Sequence, residues 1–136
     1  MSLDQEIINI IKESKTIAVV GMSTDPNKDA HRIPKYLKDV GYRIIPVNPN
    51  AKEILGEKSY PSLEEIPFKI DIIDIFRPSE QTPAVVTDAV KLNPRLIWLQ
   101  RGISHNQSKM IADEHRIPIV MDRCLMVEHR KLKLSK

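Results

Sequence analysis

The segment TIAVVGMSTDPNKDAHRIPKYL, residues 16–37, joins an apolar stretch to a polar turn and then to a helical pattern. Most side chains of residues 16–20 are β-branched, as is typical of a strand buried on both faces of a parallel sheet. After the turn, Ile33 and Leu37 recur at the spacing of one helix face. The segment therefore predicts a strand, a turn led by Gly21 and a helix, which is the layout of a nucleotide-binding βα unit.

The rest of the chain continues this alternation of strand-like and helix-like segments. Four apolar segments, separated by stretches of helix length, predict strands at residues 43–47, 70–76, 96–99 and 117–121. A short edge strand is expected at 58–60. Because alternating strands and helices form a parallel sheet, we predict an α/β fold with a single Rossmann-like, doubly wound parallel β-sheet and helices on both faces.

Local patterns also predict where helices begin. Thr82 followed by Pro83 is typical of the first turn of a helix. A serine followed three residues later by Gln or Glu forms a capping box, and this pattern occurs at Ser104 with Gln107 and again at Ser62. We therefore expect helices to begin at these three places.

The chain has 136 residues, the length of one ordinary domain. We expect residues 1–136 to form one domain, with an N-terminal helix within 1–15 and a basic tail at 129–136. Hydrophobic residues make up 41% of the chain, and no apolar run approaches the roughly 20 residues of a membrane span. The protein is therefore expected to have no membrane partner.

Two features bear on the cellular compartment. The N-terminal segment carries acids and helical spacing and lacks the basic start and long apolar stretch of a signal peptide. Cys124 is the single cysteine of the sequence, so an internal disulfide cannot form. Both features predict a cytoplasmic protein.

The charge balance limits the choice of partner. The net charge is +3 and aromatic residues make up 4% of the chain, whereas dedicated nucleic-acid binders usually show a basic face and stacking aromatics. We therefore expect no nucleic-acid partner. A small phosphate-rich ligand needs few cations, and a homodimer is compatible with the sequence.

The predicted topology brings several loops together at one edge of the sheet. The first strand should have the second strand on one side and the strand at 70–76 on the other, which creates a switch point where ligands bind in such folds. The crevice at this point is expected to be lined by the segments that follow the strands, at residues 21–26, 48–52, 77–79 and 100–102.

The glycine-led turn has the chemistry of a phosphate site. Gly21 can adopt backbone angles closed to other residues, while Ser23 and Thr24 place hydroxyl groups near the N–H groups of a helix start. Lys28 and Arg32 can add positive charge, and Arg32 is favoured because it lies in the first helical turn. The same residues can also form an ordinary βα turn, and this alternative stays open.

Two features argue against a standard NAD site. The turn GMSTDP lacks the second and third glycines of G-x-G-x-x-G. After the second strand, Asn48 and Pro49 stand where an NAD-binding protein usually carries a ribose-binding acid. These two residues are expected either to contact the adenosine part of another ligand or to form only a loop.

Other polar residues carry less functional information. Asp71 and Asp74 lie in one strand, but the first strand supplies no acidic pair for a magnesium site of the receiver-domain type, so both acids are interpreted as structural. The four histidines show no metal-ligand spacing, and no base can be assigned to Cys124. We therefore assign no metal site and no catalytic residue.

The motifs, taken in their order and spacing, resemble a known family. Over residues 16–129 the chain is similar to the small stand-alone CoA-binding proteins, whose Rossmann-type domain is similar to the CoA-binding N-terminal domain of the succinyl-CoA synthetase alpha subunit. The resemblance rests on Val20-Gly21-Met22-Ser23, Pro26, Tyr36-Leu37, Gly41-Tyr42, Pro46-Val47-Asn48-Pro49, Gly56, Tyr60-Pro61-Ser62-Leu63, Asp74, Phe76-Arg77, Trp98-Leu99-Gln100, Arg123-Cys124 and Glu128.

This resemblance implies that coenzyme A or an acyl-CoA lies along the carboxyl edge of the sheet. The glycine-led turn would surround the phosphates, the segments at 48–52 and 77–78 would lie near the nucleotide, and residues 100–102 would lie towards the pantetheine arm. The ligand contacts are then expected at Gly21, Met22, Ser23, Thr24, Pro26, Arg32, Asn48, Pro49, Lys52, Arg77, Pro78, Gln100 and Gly102.

Three functions remain open at this point. The leading one is a non-catalytic module that binds CoA or acyl-CoA. The second is an enzyme that acts on an acyl-CoA or a dinucleotide, and the third is a protein-interaction subunit with a vestigial crevice. Ligase activity is not expected, because the chain is too short to add the second domain that carries the phosphorylated histidine in the synthetase.

Overall fold

The computed structural model describes residues 3–132. In chain order its elements are α1 (Gln5–Glu13), β1 (Thr16–Val20), α2 (Asp29–Asp39), β2 (Arg43–Val47), β3 (Glu53–Ile54), β4 (Glu57–Lys58), β5 (Ile72–Ile75), α3 (Thr82–Val90), β6 (Leu96–Leu99), α4 (Asn106–Glu114), β7 (Ile119–Val120) and α5 (Leu125–Lys131). Two short 3-10 turns lie at Leu63–Glu65 and Ser79–Gln81.

Five strands form the central sheet in the order β2-β1-β5-β6-β7, and every neighbouring pair is parallel. β1 therefore has β2 on one side and β5 on the other, as expected of a switch point. The last residue of β1, Val20, is in register with Val47 of β2 and Ile75 of β5, so the loops that follow begin at the same level. The predicted doubly wound parallel sheet is confirmed.

Helices cover both faces of this sheet, because side chains of each strand alternate between the faces. In β1, Ile17 and Val19 pack in one core cluster with residues of α1, α2 and α5. Ala18 points the other way and packs in a second cluster with residues of α3 and α4. Fully burying one such aliphatic side chain contributes about 1.5–3 kcal/mol, so these two layers supply most of the stabilisation.

α1 forms within the segment expected to carry an N-terminal helix. Asp4 caps it, with Oδ1 accepting a hydrogen bond of 3.0 Å from the backbone N of Ile7. The apolar face of the helix buries Ile7, Ile10 and Ile11 against the sheet. Residues 1–2 of the predicted segment lie outside the described residues.

All helices of the described part of the chain are short. The longest, α2, has 11 residues, and α5 has 7. Within residues 3–132 no helix is long and apolar enough to cross a membrane.

Two predicted helix starts are different in the structure. Ser104 is not a cap: its backbone N donates to Oγ of Ser79, which keeps it in the preceding loop, and His105 caps α4 instead. Nδ1 of His105 accepts a hydrogen bond of 3.1 Å from the backbone N of Gln107. Ser62 precedes a single 3-10 turn and not an α-helix.

The edge strand expected at 58–60 is replaced by two smaller features. β3 and β4 form an antiparallel hairpin, whose turn places Leu55 and Gly56 at φ 55° and 75°. Tyr60 lies beside the main sheet and forms a parallel bridge with Val47. The backbone N of Asn48 donates to the carbonyl of Tyr60 at 2.9 Å, so this bridge holds the loop after β2.

The basic segment expected to begin a tail at residue 129 starts inside α5. His129 is 2% exposed, and the hydroxyl of Tyr36 on α2 lies 2.7 Å from its Nδ1. Lys131 ends the helix. Residues 133–136 of the predicted tail lie outside the described residues.

Candidate functional site

A cleft of about 690 Å³ lies at the carboxyl edge of the sheet, at the switch point. It is formed by the loops that follow β1, β2 and β5 together with residues of α3. This volume is in the range of small-molecule sites. Six of the residues expected to contact a ligand line the cleft, namely Gly21, Met22, Ser23, Asn48, Pro49 and Arg77.

Gly21 is required by the packing of the turn. Its φ is 81°, a left-handed conformation that favours glycine. A Cβ atom added at this position would lie 2.3 Å from the carbonyl oxygen of Phe76, which is too close for any side chain. The glycine therefore allows the loops after β1 and β5 to lie against each other.

Ser23 organises the turn that follows Gly21. Its Oγ accepts a hydrogen bond of 3.0 Å from the backbone N of Asp25, and its own backbone N donates to the carbonyl of Ala30. Nδ1 of His31 lies 2.8 Å from the carbonyl of Ser23. The turn is therefore tied to the first residues of α2 before any ligand is considered.

Asn48 fixes the loop after β2 against the same turn. Its Nδ2 donates to the carbonyl of Met22 at 2.9 Å, and its Oδ1 accepts from the backbone N of Asn50 at 2.7 Å. Ser59 Oγ donates to the carbonyl of Asn48 at 3.2 Å. Asn48 thus shapes the wall of the cleft, while Pro49 and Asn50 extend that wall outwards.

The cleft contains donors suited to an anion. Within residues 3–132 the backbone N–H group of Met22, which lines the cleft, donates to no protein acceptor. Lys28 lines the cleft and forms no ion pair with the described residues. Arg77 uses Nε and Nη2 to bind Oε1 of Gln81, which leaves further N–H groups of its guanidinium available.

A smaller cavity, of about 120 Å³, adjoins the cleft, and Phe76 lines both spaces. Gln100 lines this cavity and is 3% exposed. Its Nε2 donates to Oδ1 of Asp74 at 2.7 Å, and its Oε1 accepts from the backbone N of Leu125 at 3.3 Å. The side chain predicted to face the pantetheine arm therefore also joins β5, β6 and α5.

Asp74 is fully buried beside Gln100. Burial raises the pKa of Asp74 to about 7, and hydrogen bonds from Gln100 and the backbone of Ile75 oppose this rise. Oδ2 of Asp74 has no hydrogen-bond partner among the described residues. A carboxyl group in this position is stabilised in its protonated form.

Asp71, the other acid of this segment, has a structural role, as expected. Its Oδ2 accepts hydrogen bonds from the backbone N atoms of Lys15 and Thr16, at 2.8 and 3.2 Å. The hydroxyl of Thr16 accepts from the backbone N of Asp71 at 2.8 Å. These bonds align the start of β1 with the segment that leads into β5.

Several predicted contact residues lie outside the cleft. Arg32 is exposed on α2 and pairs with Asp29. Lys52 lines a neighbouring depression of about 490 Å³. The backbone N of Gly102 donates to Oδ1 of Asp122 at 2.6 Å. The remaining residues outside the cleft lining are Thr24, Pro26 and Pro78.

The structure adds residues that sequence reasoning did not assign to the site. The loop at 61–63 and two residues of α3, Val85 and Asp88, line the cleft. Lys28 lines it as well, although the sequence favoured Arg32 as the cation. The loop at 61–63 belongs to one of the motifs that carry the family resemblance. That motif could have predicted from the sequence that this loop lines the cleft.

A larger hollow, of about 990 Å³, lies elsewhere on the molecule. It is formed mainly by α1, α4 and the region around β7, and it includes none of the predicted contact residues. We assign the candidate site to the smaller cleft, because three strand ends and the glycine-led turn meet there. The described residues contain no cluster of His, Cys, Asp and Glu that could hold a metal ion.

The strand order and the parallel pairing define an α/β protein of the Rossmann-like class, and its cleft lies at the carboxyl edge of the sheet. Residues 15–130 match the family described as CoA binding domain. The chain belongs to this family, as the sequence motifs predicted.

Relatives of two kinds support this assignment. The uncharacterized protein YneT of Bacillus subtilis is 40% identical over 128 residues, which cover 94% of this chain and 95% of YneT. The structure of cell-free ID.343 from Thermus thermophilus superposes with a TM-score of 0.91 at 42% identity, covering 96% of this chain and 98% of that one.

The second kind of relative is a much longer enzyme. The ADP-forming acetate–CoA ligase of Methanocaldococcus jannaschii is 29% identical over 136 residues, covering 94% of this chain. The matched region is 19% of the ligase. This chain is therefore homologous to one domain of such ligases, and relatives of its own length also exist.

Proposed function

We propose that this protein binds coenzyme A or an acyl-CoA in the cleft at the carboxyl edge of the sheet. The observation that carries the proposal is the convergence of the glycine-led turn, Lys28 and Arg77 on one cleft of a protein in the CoA-binding domain family. The backbone N–H group of Met22 adds a donor for a phosphate.

The residues of the cleft suit phosphate groups in their charge. Of the lining side chains within the described residues, Lys28 and Arg77 are cationic and Asp88 is the acid. The guanidinium of Arg77 offers a planar set of donors that matches phosphate oxygens. When bound, CoA supplies its thiol as the group that carries an acyl chain, while this chain's residues hold and orient the nucleotide.

The role we propose is binding without catalysis. General acid–base or nucleophilic chemistry needs a nucleophile and a base within hydrogen-bond reach of each other. The titratable side chains that line the cleft within residues 3–132, Lys28, Arg77 and Asp88, suit charge neutralisation better than proton transfer. We place this binding activity in the cytoplasm, because the single cysteine of the sequence allows no internal disulfide, which is typical of proteins in a reducing compartment.

Thermal unfolding with a panel of ligands tests the proposal. A ligand present at 100 times its Kd stabilises the native state by about 2.7 kcal/mol, which raises the Tm of a chain of this size on the order of ten degrees. We expect this shift with CoA and acetyl-CoA and a smaller one with NAD, NADP and ATP. A clear shift with NAD and none with CoA would overturn the assignment.

A further inference from the structure

The small cavity beside the cleft has an apolar wall and one buried polar group. Ile33 on α2 and Cys124 before α5 are 5% and 7% exposed, and Phe76 and Ile103 are half-buried. Gln100 provides the buried polar side chain. Such a lining suits a small apolar group that carries one hydrogen-bond acceptor.

The orientation of the Gln100 amide follows from its partners. A backbone N–H can only donate, so the atom that faces the N–H of Leu125 is the amide oxygen. The amide nitrogen therefore faces Asp74, and it donates one hydrogen to Oδ1. An amide nitrogen has two hydrogens, and within residues 3–132 the second one has no acceptor.

The cavity lies next to the cleft to which we assign the nucleotide. Phe76, the residue after β5, lines both spaces. Gln100 follows β6, the strand adjacent to β5 in the sheet. A ligand that extends from the cleft along the carboxyl edge therefore passes the end of β5 and reaches the cavity near the end of β6.

We propose that the cavity receives the acyl group of a short-chain acyl-CoA and selects its length, an inference that rests on the proposed function. The thioester carbonyl accepts a hydrogen bond from Nε2 of Gln100. The acyl carbons lie against Ile33, Ile103 and Cys124. These residues therefore determine acyl specificity and take part in no bond-breaking step.

The volume sets the length limit. An apolar protein cavity of about 150 Å³ holds a benzene molecule, which has six carbon atoms. The cavity here is about 120 Å³, which corresponds to an acyl group of up to four or so carbon atoms. A longer chain would have to displace close-packed core side chains or turn back past the charged, exposed rim residues Asp29 and Arg101.

Calorimetric titration with CoA, acetyl-CoA, butyryl-CoA and octanoyl-CoA tests this inference. From acetyl to butyryl, each buried methylene should tighten binding by up to about fourfold. Octanoyl-CoA should bind at least about tenfold more weakly than butyryl-CoA, because its chain overfills the cavity. Equal affinities for all four ligands would overturn the cavity assignment and leave CoA binding intact.

Two substitutions at Ile103 test the cavity directly. Ile103→Ala enlarges the cavity and should lower the ratio of the Kd for octanoyl-CoA to the Kd for butyryl-CoA by about tenfold. Ile103→Phe fills the cavity and should abolish the gain in affinity from acetyl-CoA to butyryl-CoA. If neither variant changes the dependence on chain length, the cavity does not hold the acyl group.

Ile111→Ala is the matched control for these variants. Ile111 and Ile103 are both partly buried and pack against the same core cluster, but Ile111 lines neither the cleft nor the cavity. The control should keep the chain-length profile of the unmodified protein. Failure of every ligand to bind the folded protein would instead contradict the proposed function itself.

Discussion

Nε2 of Gln100 donates a hydrogen bond of 2.7 Å to Oδ1 of Asp74, and this bond links the carboxyl ends of β5 and β6 inside the protein. The same amide accepts from the backbone N of Leu125 and so holds the start of α5. The buried pair of Gln100 and Asp74 therefore connects the carboxyl edge of the sheet, where we expect the ligand, to the interior of the protein.

The buried carboxyl of Asp74 makes a prediction about pH. The pKa of Asp74 is about 7 in the folded protein, whereas the ordinary value is 3.8. Between pH 3.8 and about 7 the folded state therefore binds more protons than the unfolded state. The contribution of Asp74 to stability is therefore fully present below about pH 4 and is lost as the pH rises towards 7. The loss is on the order of 4 kcal/mol.

Chemical denaturation of the unmodified protein and of Asp74→Asn, at pH 4.5, 6 and 8, measures this contribution. The difference in the free energy of unfolding between the two proteins should change with pH in the stated direction. Asp88→Asn, at an exposed position, is the control for loss of an acid and should show a much smaller change. A pH-independent difference for Asp74→Asn would contradict the raised pKa.

Gly21→Ala should destabilise the protein more than Gly56→Ala does. Both glycines have a positive φ, 81° and 75°, so both substitutions carry the cost of a left-handed alanine, about 1–2 kcal/mol. At Gly21 the added methyl also meets the Phe76 carbonyl, whereas at Gly56 nothing lies within 4 Å. We expect an extra loss of about 1–3 kcal/mol at Gly21, measured by urea denaturation. Equal losses would mean that the contact with Phe76 relaxes without cost.

The two cations near α2 should differ in their effect on ligand affinity. Lys28 lines the cleft, whereas Arg32 is exposed outside it and paired with Asp29. Lys28→Gln should weaken CoA binding by about tenfold through loss of a charge-assisted hydrogen bond. Arg32→Gln, which removes the same charge, should leave Kd within about twofold at 0.15 M salt. Calorimetry with CoA measures the Kd of both variants. A larger loss of affinity in Arg32→Gln than in Lys28→Gln would favour Arg32 as the ligand-binding cation, as the sequence alone suggested.

Ser23→Glu should weaken CoA binding strongly. The substitution places a negative charge in the turn that we propose to surround the phosphates, and like charges repel. Calorimetry with CoA should show at least about a tenfold increase in Kd. This increase should become smaller when the salt concentration is raised, because salt screens the repulsion. Thr87→Glu, at an exposed position of α3 that does not line the cleft, controls for added charge. Unchanged affinity in Ser23→Glu would remove the turn from the contact surface.

Strand prediction succeeded where the signal is local. Residues 16–20, 43–47 and 96–99 were predicted with the bounds that the structure has. The longer apolar segments at 70–76 and 117–121 form the shorter strands β5 and β7. Apolar composition marks buried segments, but the length of a strand depends on how many of its backbone groups find a neighbouring strand.

The cap of α4 and the bridge of Tyr60 were harder to predict, because a residue distant in sequence decided each of them. Ser104 fits a capping box in sequence, but Ser79 takes its N–H in the fold, and His105 caps α4. The isolated bridge of Tyr60 to Val47 depends on two segments that are 13 residues apart. Local spacing carries no information on such partners.

The sequence by itself determined the parallel α/β sheet, the switch point beside β1 and the family, because apolar periodicity and turn residues are local properties of the chain. Only the tertiary structure decided which predicted residues share a space. It placed Lys28 in the cleft and Arg32 outside it, and it turned Gln100 towards Asp74. The physical reason is that side-chain direction and burial depend on contacts between elements distant in sequence, which spacing along one element does not encode.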